Sequence, residues 1–281
     1  MTNEYGNELL HRVLLSAMKD VDKICREHDI KYFLHAGTLL GAVNYHGFIP
    51  WDDDVDISMM RDDYERFCDI ICEYKDQYFI QTYKTDPDYP NNRAILRILG
   101  THVNYLHDNR QGRHEIGIDI VPLDAVPDNM ISRRIQQLEV WCLDAAVQIK
   151  MGSIIPHHPF MKCIAILAKK DRRILGEQID RVTTRYNKIS TKSVGLLSYT
   201  GRNPYTGKSG YENDIMLREW YENARFLQFE DTQFMTISEY KQDLLHRYGP
   251  DYMKPYPEEK RVTKHDVKSY DVEPWVMERL P

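Results

Sequence analysis

Leu9, Leu10, Val13, Leu14, Ala17, Met18, Val21, Ile24 and Cys25 recur at helical spacing and predict an amphipathic helix over about residues 7–28. "KYFLHAG" reads as a short strand ending at Gly37, "TLLGAVNY" as a short helix, and "DVDISM" as a second strand bounded by charge. "RDDYERFCDIICEYK" returns to the helical period. "YFIQTYK", "RAILRIL", "THVNYL" and "EIGIDIVPL" are β-rich pieces short enough to be neighbours in one mixed sheet. Beyond Asp128 the pattern changes: 131–150 and 160–188 read as helical, 193–215 is rich in Gly, Ser and Tyr, and 237–247 is a further helix. The predicted organisation is a mixed α/β core over residues 1–128 and a mainly helical portion over 129–281 that completes the site.

Within this pattern the stretch "PWDDDVDISM" crowds four aspartates beside residues that prefer burial. If Asp54–Met59 is extended, Asp54, Asp56 and Ser58 share one face while Val55, Ile57 and Met59 enter the core. Carboxylates so close repel unless a cation compensates them, and a hard divalent ion such as Mg²⁺ or Mn²⁺ is the natural partner. Asp119, in the frame apolar-Asp-apolar of "EIGIDIVPLD", offers a third acid on what could be an adjacent strand. Three acids from two strands could hold one or two metals across a phosphoryl group. Gly37-Thr38, at a strand-to-helix junction, then suits an approaching phosphate. An isolated "DDDVD" would equally be a solvated turn, but the flanking apolar alternation favours the ion site. An EF-hand is excluded, because Ile57 stands where glycine is required and Asp63 where a glutamate is expected.

Composition narrows the class. With 37 basic against 43 acidic residues in 281, the formal charge is −6, so the chain lacks the basic balance of a nucleic-acid binder. The five cysteines form no C-x-x-C pair and predict reduced, mostly core thiols in a cytoplasmic protein. "MTNEYGNELLHRVLL" has neither the basic region nor the cleavage site of a signal peptide. "PFMKCIAILAKKDRRIL" has two readings: a helix lying peripherally on an anionic membrane surface, or an ordinary buried helix followed by a solvated one, the second being slightly favoured.

Taken in order, "GTLLGAVNYHGFIPWDDDVDI", "DIVPLD", "FEDTQF" and "YGPDYMKPYPEEKR" resemble the LicD family of phosphotransferases, which also includes the fukutin-related proteins and has the nucleotidyltransferase-like fold. The resemblance runs from about Asp22 to His265, dense in the first 125 residues and thin from 128 to 215. It implies a cytidylyl-activated alcohol phosphate as donor, typically CDP-choline, a sugar hydroxyl of a surface glycan or its lipid-linked precursor as acceptor, and release of CMP. It maps the metal pair onto Asp54 and Asp56, with Asp119 as a further ligand or as the base for the acceptor hydroxyl.

Supporting candidates follow. Arg93 and Arg97 share a face if their segment is a strand, and could clamp phosphate. Arg261 and His265 follow the family's closing motif, and Glu230 lies in "FEDTQF" without a derivable role. Trp51 could stack on a base or a choline headgroup, or simply pack the aspartate loop. The rival functions are a nucleotidyltransferase using a nucleoside triphosphate, an Asp-x-Asp glycosyltransferase, for which only about 50 residues precede Asp54, and a non-enzymatic metal- or glycan-binding module. Residues 193–215 read more readily as a surface connection than as an acceptor loop.

Overall fold

The computed structural model describes residues 5–106, 112–198, 205–254, 256–261 and 267–280. The N-terminal half runs α1 (Glu8–Glu27), β1 (Phe33–Leu34), α2 (Ala36–Tyr45), β2 (Asp56–Met60), α3 (Arg61–Ile70), β3 (Tyr78–Gln81), β4 (Ala94–Ile98), β5 (Thr101–Tyr105) and β6 (Gly117–Val126). Then come α4 (Met130–Lys150), α5 (Pro159–Leu167), α6 (Arg172–Thr183), β7 (Ser193–Gly195), α7 (Gly210–Asn213) and β8 (Ile215–Leu217). The chain closes with β9 (Ala224–Phe229), β10 (Thr232–Ile237), α8 (Tyr240–Tyr248), β11 (Val267–Val272) and α9 (Pro274–Met277).

The central sheet has the order β1-β2-β6-β4-β3, with β7 joined to the far end of β6 and β8 to β7. Only β2 and β6 run parallel among these pairs, so the sheet is mixed, and with its flanking helices it is the α+β architecture expected. The nine apolar residues that predicted α1 include eight that are buried against this sheet, Leu10 to Cys25. Val55, Ile57 and Met59 are buried at 1 % or less, as expected, but Ser58 on the opposite face is also buried at 1 %, so this end of β2 is covered on both faces.

Several expectations shift. Gly37 does not end a strand but lies in the first turn of α2, because β1 closes after two residues. β5 leaves the main sheet and pairs with β11 near the C-terminus. The helical stretch 160–188 breaks at Asp171, whose carboxylate caps α6 by accepting from the Arg173 amide at 2.8 Å. Residues 193–195 and 215–217 form β7 and β8, which extend the main sheet from β6, and 199–204 lie outside the described residues. Of the five cysteines, all free thiols, only Cys25 is fully buried, and Cys72 and Cys163 are exposed. The favoured reading of "PFMKCIAIL" as a buried helix holds on one face only: Ile164 is buried with Met161 and Leu167 packed beside it, while Phe160, Cys163 and Ile166 are exposed.

Gly41, inside α2, is held to glycine by the loop that follows. A Cβ there would stand 2.5 Å from the Gly47 carbonyl oxygen and 3.2 Å from the Ile49 amide, both backbone. Gly41→Ala is therefore expected to destabilise the fold by about 1–3 kcal/mol, as overpacking does. Thermal melting checks this, and an unchanged Tm would show that loop 46–49 yields freely.

Candidate active site

Strand register builds the core of the site. β2 and β6 pair in parallel with Asp56 opposite Asp119, so both carboxylates leave the same face of the sheet on adjacent strands. The Asp119 amide donates to the Val55 carbonyl at 2.9 Å, which carries the pairing one residue toward Asp54. On the other side of β6, Ile95 stands opposite Asp119, which puts Arg93, Ile95 and Arg97 on that same face. Arg93 Nη1 lies 3.3 Å from Asp119 Oδ2, and the carboxylate beside it pushes the guanidinium pKa up. Arg97 is turned along the sheet: Nε donates to Gln81 Oε1 at 2.8 Å and Nη1 to the Glu115 carbonyl at 2.9 Å, and burial lowers its pKa.

The loop before β2 carries the remaining acids. Among the described residues, Asp52, Asp53 and Asp54 form a group of three carboxylates whose oxygens lie within 4.8 Å of one another; of the three acids expected to share an ion, only Asp54 belongs to it. Asp56 heads the strand that follows this loop, and Asp119 stands opposite it on β6. The donors from Asp52 to Asp56 and at Asp119 are all carboxylate oxygens, a set suited to a hard divalent cation and not to a thiophilic one.

That loop is clasped from two directions. The Asp52 carbonyl accepts from His11 Nε2 at 2.8 Å and from Asn7 Nδ2 at 3.1 Å, which fixes the proton of the His11 ring on Nε2. Burial lowers the His11 pKa, and its ring stacks on Phe48 at 4.2 Å. From the other side, Glu230 at the tip of the β9–β10 hairpin accepts from the Phe48 amide at 3.0 Å and donates its own amide to the His46 carbonyl at 2.6 Å. A Cβ on Gly47 would overlap the Glu230 carboxylate, so glycine is required there by close approach.

Backbone strain gathers at the same place. Ala36, His46 and Glu230 have φ of 44°, 55° and 54°, a left-handed conformation that costs a side-chain-bearing residue about 1 kcal/mol or more. All three border the aspartate loop. The buried Thr38 hydroxyl accepts from the Asp56 amide at 2.8 Å, tying α2 to the head of β2. A Cβ on Gly37 would lie 2.9 Å from Asp52 Oδ2, so this glycine makes room for one of the chain's own carboxylates.

Trp51 occupies an aromatic recess. Tyr5 and Tyr45 meet it edge-on at 5.7 and 5.9 Å, Tyr256 stacks at 6.2 Å, and the Arg261 guanidinium lies over the indole at 5.3 Å. Arg261 is itself steered by its Nε donating to the Tyr256 carbonyl at 2.8 Å. Trp51, Tyr5, Tyr45 and Arg261 line a cleft of about 410 Å³ together with Pro50 and Met253.

The structure thus brings Asp54, Asp56, Asp119 and Arg93 to one end of the sheet, and joins Trp51 to Arg261 beside the loop that carries the aspartates. Gly37, Thr38 and Glu230 brace that loop, and Arg97 is bonded within the sheet. His265 lies outside the described residues. Sequence reasoning missed His11, Asn7, Tyr45 and Tyr256. His11 lies in the first turns of α1 and Asn7 just before it, and neither carries a local signal of its partner, whereas the tyrosines share an aromatic-rich context with Trp51 that a search for a recess could have weighed.

Comparison with known proteins agrees with the motifs. Residues 29–137 match the LicD/FKTN/FKRP nucleotidyltransferase domain. Over 268 residues, 92 % of this chain and 95 % of the relative, the sequence is 25 % identical to the lipopolysaccharide cholinephosphotransferase LicD of Haemophilus influenzae. An uncharacterized protein of Rickettsia typhi is 44 % identical over 62 residues, 22 % of this chain and 20 % of that one. One of Rickettsia prowazekii is 37 % identical over 71 residues, 25 % and 27 % of the two chains. The segment that carries α2, the aspartate loop, β2 and β6 thus matches the nucleotidyltransferase domain of the LicD family, over residues 29–137 of this chain.

Proposed function

We propose that the chain transfers a phosphoalcohol, phosphocholine from CDP-choline in the first instance, to a sugar hydroxyl of a cell-surface glycan or its lipid-linked precursor, with release of CMP. The observation that carries this reading is the register of Asp56 against Asp119 on adjacent strands, with Asp54 just before them and Arg93 facing Asp119. The name of the Haemophilus relative, a lipopolysaccharide cholinephosphotransferase, supports the choice of donor headgroup and acceptor.

In this reading Asp54, Asp56 and Asp119 would hold Mg²⁺ or Mn²⁺, which when bound supplies positive charge to the diphosphate oxygens. Asp119, which faces Arg93 at 3.3 Å, would accept the acceptor hydroxyl proton if it is not a ligand. Arg93 offers a fixed cation to the transferring phosphoryl group. The clasp from His11, Asn7 and Glu230 keeps the acids in position before the donor arrives, so little ordering remains to be done on binding.

Trp51 would receive the headgroup. An indole face that already carries the Arg261 guanidinium can carry a trimethylammonium by the same cation–π attraction. Trp51→Ala is expected to weaken CDP-choline binding by about tenfold while leaving CMP binding unchanged. Equal weakening of both ligands would remove the headgroup assignment and leave the indole as a packing residue.

Calorimetric titration with CDP-choline, CTP and UDP-glucose, each with Mg²⁺ and again with EDTA, tests the function as a whole. Metal-dependent preference for CDP-choline is expected. Preference for CTP would favour nucleotidyl transfer, preference for UDP-glucose would favour glycosyl transfer, and metal binding without any nucleotide would favour a binding module.

A further inference from the structure

α5 is strongly apolar in sequence, PFMKCIAIL, yet Ile164 is its only buried residue. Phe160 is 48 % and Ile166 65 % exposed, and Ile155 in the preceding turn is 70 % exposed. The Phe160 ring stacks on Trp141 of α4 at 5.6 Å, and on the same helix Ile131, Ile135 and Leu138, three and four residues apart, are also more than half exposed. The apolar surface therefore continues from one helix to the next. Such patches on a soluble surface mark contact with another phase or another molecule.

Charge selects the occupant. Between Asp144 and Asp171 the chain has no carboxylate, though acids make up 43 of its 281 residues, and it carries Lys150, Lys162, Lys169 and Lys170. None of these four lysines has a carboxylate partner among the described residues: Lys150 donates to the Ala168 carbonyl and Lys170 to Gln178. A second copy docked face to face would add a second set of the same lysines to the interface, with no carboxylate from this stretch on either copy to offset them. An anionic lipid surface instead satisfies both features, accepting the apolar side chains at its acyl boundary and the lysines at its headgroups.

We infer that α5, with the turn before it and the adjoining face of α4, is a peripheral membrane-docking surface for anionic lipid. No helix among the described residues is long and apolar enough to cross a membrane, so the contact is interfacial. The inference does not rest on the proposed reaction; it stands on exposure and charge alone.

Flotation of the full chain with phosphatidylcholine vesicles, with and without phosphatidylglycerol, tests it. The chain is expected to float with phosphatidylglycerol present, to stay in solution without it, and to be released by high salt. A chain carrying Ile155→Ser and Ile166→Ser, both highly exposed positions, should melt as the parent does and partition at least about tenfold more weakly. Lys162→Glu with Lys169→Glu should do the same. Failure to float with anionic vesicles would overturn the inference. So would unchanged partition of both variants, or a dimer in light scattering that the isoleucine substitutions dissolve.

Discussion

Asp56→Asn is expected to leave the melting temperature nearly unchanged and to slow CMP release from CDP-choline by about 10³-fold, the scale on which losing one electrostatic contact at a phosphoryl centre is felt. The separation of the two effects follows from the backbone. The Asp56 amide donates to Thr38 and its carbonyl accepts from the His35 amide at 3.0 Å, and the substitution keeps both of these bonds. What it removes is one anionic oxygen donor beside Asp119. Asp54→Asn should behave alike. Asp119→Asn should differ, because it also leaves Arg93 without the carboxylate it faces at 3.3 Å, so some stability is lost with the activity. Retention of more than about a tenth of parental turnover by Asp56→Asn would sink the assignment of these acids.

Asp124→Ala is expected to be the most destabilising single change, by about 3–5 kcal/mol, with a fall in Tm on the order of 10 °C. Asp124 and Arg61 have side chains 1 % and 8 % exposed, and the guanidinium makes a forked pair with the carboxylate, Nε to Oδ1 at 2.7 Å and Nη2 to Oδ2 at 2.6 Å. Asn187 donates to Asp124 Oδ1 at 2.7 Å, and Arg61 Nη1 reaches Asp180 of α6 at 3.2 Å. Removing Asp124 strands a buried guanidinium whose pKa is pushed up by these acids against the desolvation that would lower it. The chain cannot discharge it by losing the proton, so the cost falls on the fold. Replacing both partners by apolar residues, Arg61→Met with Asp124→Leu, should cost less than Asp124→Ala alone, since no charge is then left buried. Chemical denaturation of the three chains decides it: a double variant no more stable than the single would show that packing, not the uncompensated charge, governs this position.

How much of this was legible in the sequence depended on the range of the interaction. The amphipathic period of α1 and the alternation of Val55, Ile57 and Met59 are local, and they gave helix, strand and the facing of the aspartates correctly. Asp119 could be paired with Asp56 because both sit in an apolar-Asp-apolar frame, which in a parallel pair brings like to like. The β9–β10 hairpin, the pairing of β5 with β11 and the clasp by His11 and Asn7 have no such signature, being contacts between segments far apart in the chain. Glu230 is the clearest case. Its motif was visible, yet its bond to the Phe48 amide depends on a hairpin tip meeting a loop 182 residues earlier. α5 shows the opposite limit: its local pattern is that of a core helix, and only the assembled fold reveals that one face packs while the other is left exposed.

The reach of that hairpin sets a timetable for synthesis. At ribosomal speeds of roughly 5–20 residues per second, the 182 residues between Phe48 and Glu230 take roughly 10–40 s to emerge. Until then the aspartate loop lacks one of its two clasps, whereas His46 already caps α2 in its left-handed backbone. A nascent chain that ends before Ala224 is thus expected to set Asp56 and Asp119 in register while the loop before them is braced from the α1 side alone.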